Sequence, residues 1–110
     1  MKLYLDDRRS APIDFELVDC YNACITKLAQ NKGKIEELSL DHDLGELRNG
    51  YDVCKWIVEN KWWDGLKKVT IHSANPVGVK NMTQLLDRYL PKEIEIWYRV
   101  NNDFVKLYRY

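Results

Sequence analysis

Leu38-Ser39-Leu40-Asp41-His42-Asp43 is a short apolar run that ends in two carboxylates and an imidazole. Two other runs have the same build: Leu3-Tyr4-Leu5-Asp6-Asp7 and Val69-Thr70-Ile71-His72-Ser73-Ala74-Asn75. Runs of this length, separated by stretches with helical spacing, are the pattern of parallel strands in an α/β sheet. Ligands of such sheets bind at the carboxyl ends of the strands. Both histidines of the chain, His42 and His72, fall at those ends, together with Asp6, Asp7, Asp41 and Asp43. Strands lying side by side would bring all six to one place.

Outward from these runs, the chain reads as strand, strand, helix, strand, helix, strand, helix, strand, and a last strand. The first strand spans residues 2–5 and the second, short, 15–18. Asp19 is a capping residue for a helix running to about residue 31, with Tyr21, Cys24, Ile25 and Leu28 on one face and Gly33 as its stop. After the strand at 37–40 comes a polar loop to Gly50. Asn49 caps the next helix, with Asp52 placed for a capping box, and Val53, Trp56 and Ile57 form its buried stripe. The strand at 69–71 leads to Asn75-Pro76, a cap and a proline at the first helical position. Ile94 to Tyr98 is a fifth strand, 100–103 a turn, and 104–110 an antiparallel edge strand. Right-handed crossovers make this a mostly parallel sheet with helices on both faces, lacking a helix after the first strand.

The chain has 110 residues, enough for one domain, residues 1–110, with a modest core. Its formal net charge is zero, so no basic excess marks a nucleic-acid binder. No apolar stretch approaches the roughly 20 residues of a membrane span. The amino terminus turns acidic too early for a signal peptide. Cys20, Cys24 and Cys54 are an odd number and read as small buried hydrophobes. A cytoplasmic location is the expectation.

Four acids at two neighbouring strand ends repel one another unless a cation relieves them. They read either as loop acids and caps or as ligands for a divalent metal, with Mg suited to the oxygens and Mn or Zn if a histidine joins. The two histidines can serve as general base and general acid in opening a cyclic phosphate, as metal ligands, or as structural residues. The helix starting at Pro76 aims backbone N–H groups at the strand end, an anion site to which Ser73 and Asn75 add donors and Gly78 adds close approach. Arg8 and Arg9 either bind phosphate or neutralise the acids. The loop from Gly45 to Gly50 is a cover or a connection.

Leu5-Asp6-Asp7-Arg8-Arg9 with Pro12, Ser39-Leu40-Asp41-His42-Asp43-Leu44-Gly45, Gly50-Tyr51-Asp52-Val53 with Trp56-Ile57, and Ile71-His72-Ser73-Ala74-Asn75-Pro76-Val77-Gly78 with Met82 together resemble the cyclic-phosphate-processing receiver domains. The resemblance implies a receiver fold and a phosphoesterase activity on cyclic or phosphorylated nucleotide-type substrates. It places Asp6 and Asp7 where receivers keep magnesium-binding acids, Asp41 at the phospho-accepting aspartate and Ser73 at a conserved hydroxyl. The lysine that closes the last parallel strand of receivers is replaced by Tyr98-Arg99.

The leading expectation is a metal-assisted phosphoesterase. Asp6, Asp7 and Asp41 hold the metal. His42 and His72, with Asp43, carry the proton transfers. Ser73, Asn75, Gly78 and Arg8 bind phosphate. The alternatives are a receiver-like module that binds a phosphorylated nucleotide without changing it, and a phospho-accepting receiver.

Overall fold

The computed structural model describes residues 1–110. Its elements are β1 (Lys2–Leu5), β2 (Phe15–Val18), α1 (Tyr21–Gln30), β3 (Glu37–Leu40), α2 (Gly50–Glu59), β4 (Lys68–Ile71), α3 (Pro76–Tyr89), β5 (Glu95–Val100) and β6 (Asp103–Lys106). They form one six-stranded sheet in the order β2-β1-β3-β4-β5-β6. All neighbours are parallel except the hairpin β5–β6. This is the receiver-like α/β architecture with its C-terminal antiparallel pair, and no helix stands between β1 and β2. No helix is long and apolar enough to cross a membrane.

The helices do not cover both faces. In register, Leu3, Leu38, Val69 and Ile96 lie side by side, as do Leu5, Val18, Leu40 and Ile71. All of them are buried, and they share one core with Cys24 and Leu28 of α1, Val53 and Ile57 of α2, and Met82 and Leu86 of α3. The alternate residues make the other face: Tyr4 and Ser39 of the central strands are buried, whereas Lys2, Phe15, Leu17, Glu37, Lys68, Thr70 and Trp97 stay half-buried or exposed. The cause is strand order. From β2 onward every crossover moves the same way across the sheet, so right-handedness puts α1, α2 and α3 on one side. Only the step from β1 to β2 runs the opposite way, and that connection has no helix.

Local chemistry sets the ends of the elements. Asn49 accepts from Asp52 N at 3.1 Å while Asp52 Oδ2 accepts from Asn49 N at 2.9 Å, completing the capping box of α2. Asn75 Oδ1 accepts from Gly78 N at 3.1 Å, ahead of Pro76 at the start of α3. The cap of α1 is Cys20 rather than Asp19: its Sγ accepts from Ala23 N at 3.4 Å. Cys24 and Cys54 are fully buried, as their reading as small hydrophobes requires, whereas Cys20 is half-buried. Burial pushes the Cys24 thiol up to about 12. The last strand ends at Lys106 rather than continuing to residue 110. Beyond it, Arg109 turns back to α3. Its guanidinium donates to the carbonyls of Asp87, Leu90, Pro91 and Ile94 and to Asp87 Oδ1, at 2.6–3.1 Å. The carbonyls of Asp87 and Leu90 are ones that the end of α3 leaves without intrahelical partners.

Candidate functional site

Leu5, Leu40 and Ile71 are neighbours in register, and the ladder runs one residue past them: Asp41 N donates to Leu5 O and His72 N to Leu40 O, both at 3.0 Å. Asp6, Asp41 and His72 therefore stand side by side at the carboxyl ends of β1, β3 and β4. All three are buried, and each offers a ligand atom within 4.8 Å of the others. Asp7, one residue further, is not in this cluster. Its Oδ2 lies against Gly45, whose left-handed backbone (φ +67°) leaves only 3.0 Å for a side chain there.

Asp6 is saturated. Its Oδ1 accepts from Arg8 N and Arg9 N at 2.8 and 2.9 Å, and its Oδ2 meets Arg9 Nη1 and His72 Nε2, each at 2.9 Å. Burial alone would raise its pKa, but the Arg9 and Arg8 amides, the Arg9 guanidinium and His72 outweigh it and lower it to about 2. Asp41 goes the other way. Burial raises it, and the hydrogen bonds from His42 N and the Ser73 hydroxyl do not fully compensate. Arg9 Nη1 is also 3.5 Å from Asp41 Oδ2, so Arg9 bridges the two acids. Arg8, by contrast, leaves its side chain 86% exposed, 4.0 Å from Asp7.

His72 is enclosed. Its ring stacks on Tyr4, with centroids 4.2 Å apart and planes 2° from parallel. Burial lowers its pKa despite the hydrogen bond to Asp6. A neutral ring next to an ionised Asp6 carries its hydrogen on Nε2 and donates it there. Nδ1 then accepts from Ser39 Oγ at 2.8 Å. Both ring nitrogens are thus committed inside the protein.

His42 is arranged differently. Its Nδ1 donates to Asp43 Oδ1 at 2.8 Å, and its Nε2 makes no hydrogen bond to the protein. Asn75 Nδ2 donates to Asp43 Oδ2 at 3.3 Å, so the residue that caps α3 also holds the carboxylate that holds His42. The bond from His42, aided by Asn75, keeps the Asp43 carboxyl below its usual range. The His42 ring lies against the Cα of Gly78, where any side chain would collide with it.

The start of α3 offers fewer free donors than its position suggests. Pro76 has no N–H, Gly78 N is held by Asn75 Oδ1 and Val79 N by Asn75 O. Val77 N is the first-turn donor left over. Asn75 itself is spent on Gly78 and Asp43, and buried Ser73 accepts from Asn75 N at 3.1 Å. The loop after Leu44 is a fastened connection: Glu46 accepts from Tyr21 N at 3.0 Å and Arg48 stacks over the Tyr21 ring.

Residues 1–88 match the family described as the cyclic-phosphate processing receiver domain. The chain belongs to this family. The match covers β1 through nearly all of α3 and so includes every residue of the site. It stops before the β5–β6 hairpin. Among curated proteins and solved structures, none matches the chain. The family name links the domain to cyclic-phosphate processing.

A divalent metal is implied by receivers, and the Asp6 and Asp41 carboxylates fit one, whereas His72 could join only by giving up its hydrogen bond to Asp6. Carboxylates alone suit Mg, and a released imidazole nitrogen would favour Mn or Zn. Arg9 Nη1 already pairs with Asp6 and Asp41, so an ion held by these carboxylates would have to displace it.

Proposed function

We propose that this domain is a phosphoesterase that hydrolyses the cyclic phosphate of a nucleotide-type substrate. The observation that carries the reading is the His42–Asp43 pair, with Nδ1 anchored, Nε2 free and the ring seated on Gly78 beside the strand ends. An imidazole with one nitrogen tethered to a carboxylate is oriented for proton transfer at the other.

In this reading the phosphate sits over Ser73 and Val77 N–H, with the Arg9 guanidinium on its flank. The oxygen of a water bonds to phosphorus and its proton passes to His42 Nε2. The ring P–O bond breaks, the released alkoxide takes a proton from solvent, and His42 returns its own to solvent. One water is consumed and a phosphate monoester leaves. Asp43 and Asn75 hold the imidazole in place. His72, with both nitrogens committed, positions Asp6 and through it Arg9. A divalent ion held by the Asp6 and Asp41 carboxylates, with Arg9 displaced towards the phosphate, would polarise the phosphoryl oxygens; His72 would join it only by giving up its hydrogen bond to Asp6. Three free cysteines fit a reducing, cytoplasmic setting.

The test is phosphorus NMR on a panel of nucleoside 2′,3′- and 3′,5′-cyclic phosphates with Mg or Mn. The expected result is conversion of a cyclic-phosphate signal into a monoester signal, slowed by about 10²–10⁴-fold in His42→Ala. Turnover indifferent to His42→Ala, or none across the panel, overturns the reading. Shifted signals with no new species would instead mark a binding module.

A further inference from the structure

A second feature opens beside the strand ends. Between α3 and the β5–β6 hairpin lies a cavity of about 520 Å³, and it begins at Ser73, the residue placed under the phosphate. Its walls are Val79 and Thr83 from α3 and Tyr98, Val100 and Leu107 from the hairpin side, with Pro76 at the junction. This volume falls in the range of small-molecule sites, which are mostly apolar with a few placed polar groups.

Three observations say what would fill it. Thr83 is more than nine-tenths buried, and its hydroxyl is the one buried side-chain polar atom of the chain without a hydrogen-bond partner. A buried hydroxyl left unpaired is costly, and such groups in folded proteins nearly always have a partner. Thr83 lines the cavity, but Oγ1 itself has under 1 Å² exposed, so a ligand there supplies a partner only when the unpaired hydroxyl turns about the Cα–Cβ bond to face it. The lining contains Lys80 and Arg99 but no Asp or Glu, so negative charge is tolerated. Arg99 is anchored by Nε to Asn101 O at 2.8 Å and by Nη2 to Asn102 Oδ1, which leaves Nη1 unengaged. Tyr98 supplies an aromatic ring at the wall, where a flat ligand ring can pack.

Resting on the phosphoesterase reading, we infer that this cavity holds the nucleoside of the substrate. The heteroaromatic base packs against Tyr98, Val79 and Leu107, and a polar edge of the base pairs with Thr83 Oγ1. The cyclic phosphate then reaches back to Ser73. The enzyme would therefore select nucleoside cyclic phosphates over base-free ones such as glycerol or sugar cyclic phosphates.

Methyl and amide NMR of the intact chain tests this with two probes, adenosine 2′,3′-cyclic phosphate and glycerol 1,2-cyclic phosphate. The nucleoside probe is expected to shift both the His42 ring signals and the methyls of Val79, Thr83 and Leu107. The glycerol probe is expected to shift His42 alone. Thr83→Val removes only the unpaired hydroxyl, so the variant should fold, and it is expected to weaken binding of the nucleoside probe about fivefold. A nucleoside probe that shifts His42 without the cavity methyls overturns the inference and leaves the phosphoesterase reading standing. So does cavity binding equal for both probes, or an unchanged Kd in Thr83→Val. Failure of the parent reading is seen separately, as absence of any monoester product.

Discussion

The imidazole of His42 occupies the space that a side chain at Gly78 would need: a Cβ built there comes within 2.9 Å of His42 Cβ and still closer to its ring. α3 can approach β3 this closely because position 78 has no side chain. Gly78→Ala is therefore expected to fold, since alanine suits a helix, while pushing the ring off its seat. A displacement of about 1 Å at a reacting group costs on the order of 100-fold in rate. Circular dichroism with kinetics on the cyclic-phosphate substrate checks it, and full activity would refute it. Gly50→Ala gives the contrasting case. There the obstacle is the Asp41 backbone carbonyl, so stability should fall along with activity.

Arg9 Nη1 pairs with both Asp6 and Asp41, so a divalent ion held by these carboxylates would have to compete with it. Arg9→Ala is expected to bind Mn more tightly than the parent, because two carboxylates are left without their cation. Electron paramagnetic resonance of free Mn during titration measures it. Equal or weaker affinity in the variant would show that the Asp-Asp-His cluster is not a metal site.

The two buried acids should titrate on opposite sides of the ordinary aspartate range. Asp6, lowered to about 2, stays ionised in the fold long after its unfolded counterpart takes a proton near the ordinary aspartate value of 3.8. Its contribution of about 2 kcal/mol is therefore complete above pH 4 and is lost as pH falls towards 2. Asp41, raised by burial, takes its proton first in the folded state, so it contributes stability of the opposite sign as pH falls. Carboxyl carbon NMR on the metal-free protein should find Asp6 titrating below Asp41. The reverse order would contradict this account of the hydrogen bonds at Asp6.

Arg109 holds the end of α3 to the strand that follows it. Arg109→Ala leaves several carbonyls without their charged donor and is expected to cost about 2–3 kcal/mol in urea unfolding. Arg109→Lys should restore only part of that, because an ammonium cannot reach four carbonyls in a plane. A loss under about 0.5 kcal/mol, the level of an ordinary surface change, would refute the role.

Much of this molecule is legible in one dimension. The strand limits of β1, β2 and β3 and the caps at Asn49 and Asn75 follow from local chemistry and agree with the structure. The meeting of Asp6, Asp41 and His72 follows from three runs of similar phase. What local reading misses depends on neighbours. Arg8 and Arg9 are indistinguishable as letters. The turn that aims both of their amides at Asp6 Oδ1 decides which guanidinium faces inward. The enclosure of His72 depends on Tyr4 and Ser39, which belong to two other strands. The one-sided sheet depends on strand order, although the missing first helix was its visible sign.

The sheet order also governs when the site can exist. Asp6 and His72 are bonded across a separation of 66 residues, and β3 must pair with both β1 and β4 before they can meet. Parallel pairing over such spans requires large loops to close, which slows folding. The β5–β6 hairpin, joined by a tight turn at Asn101, can form early by itself. Competence to bind a ligand at the strand ends should thus arrive late in refolding, after most helical signal has returned. Quenching that reports on the Tyr4–His72 stack would time its arrival.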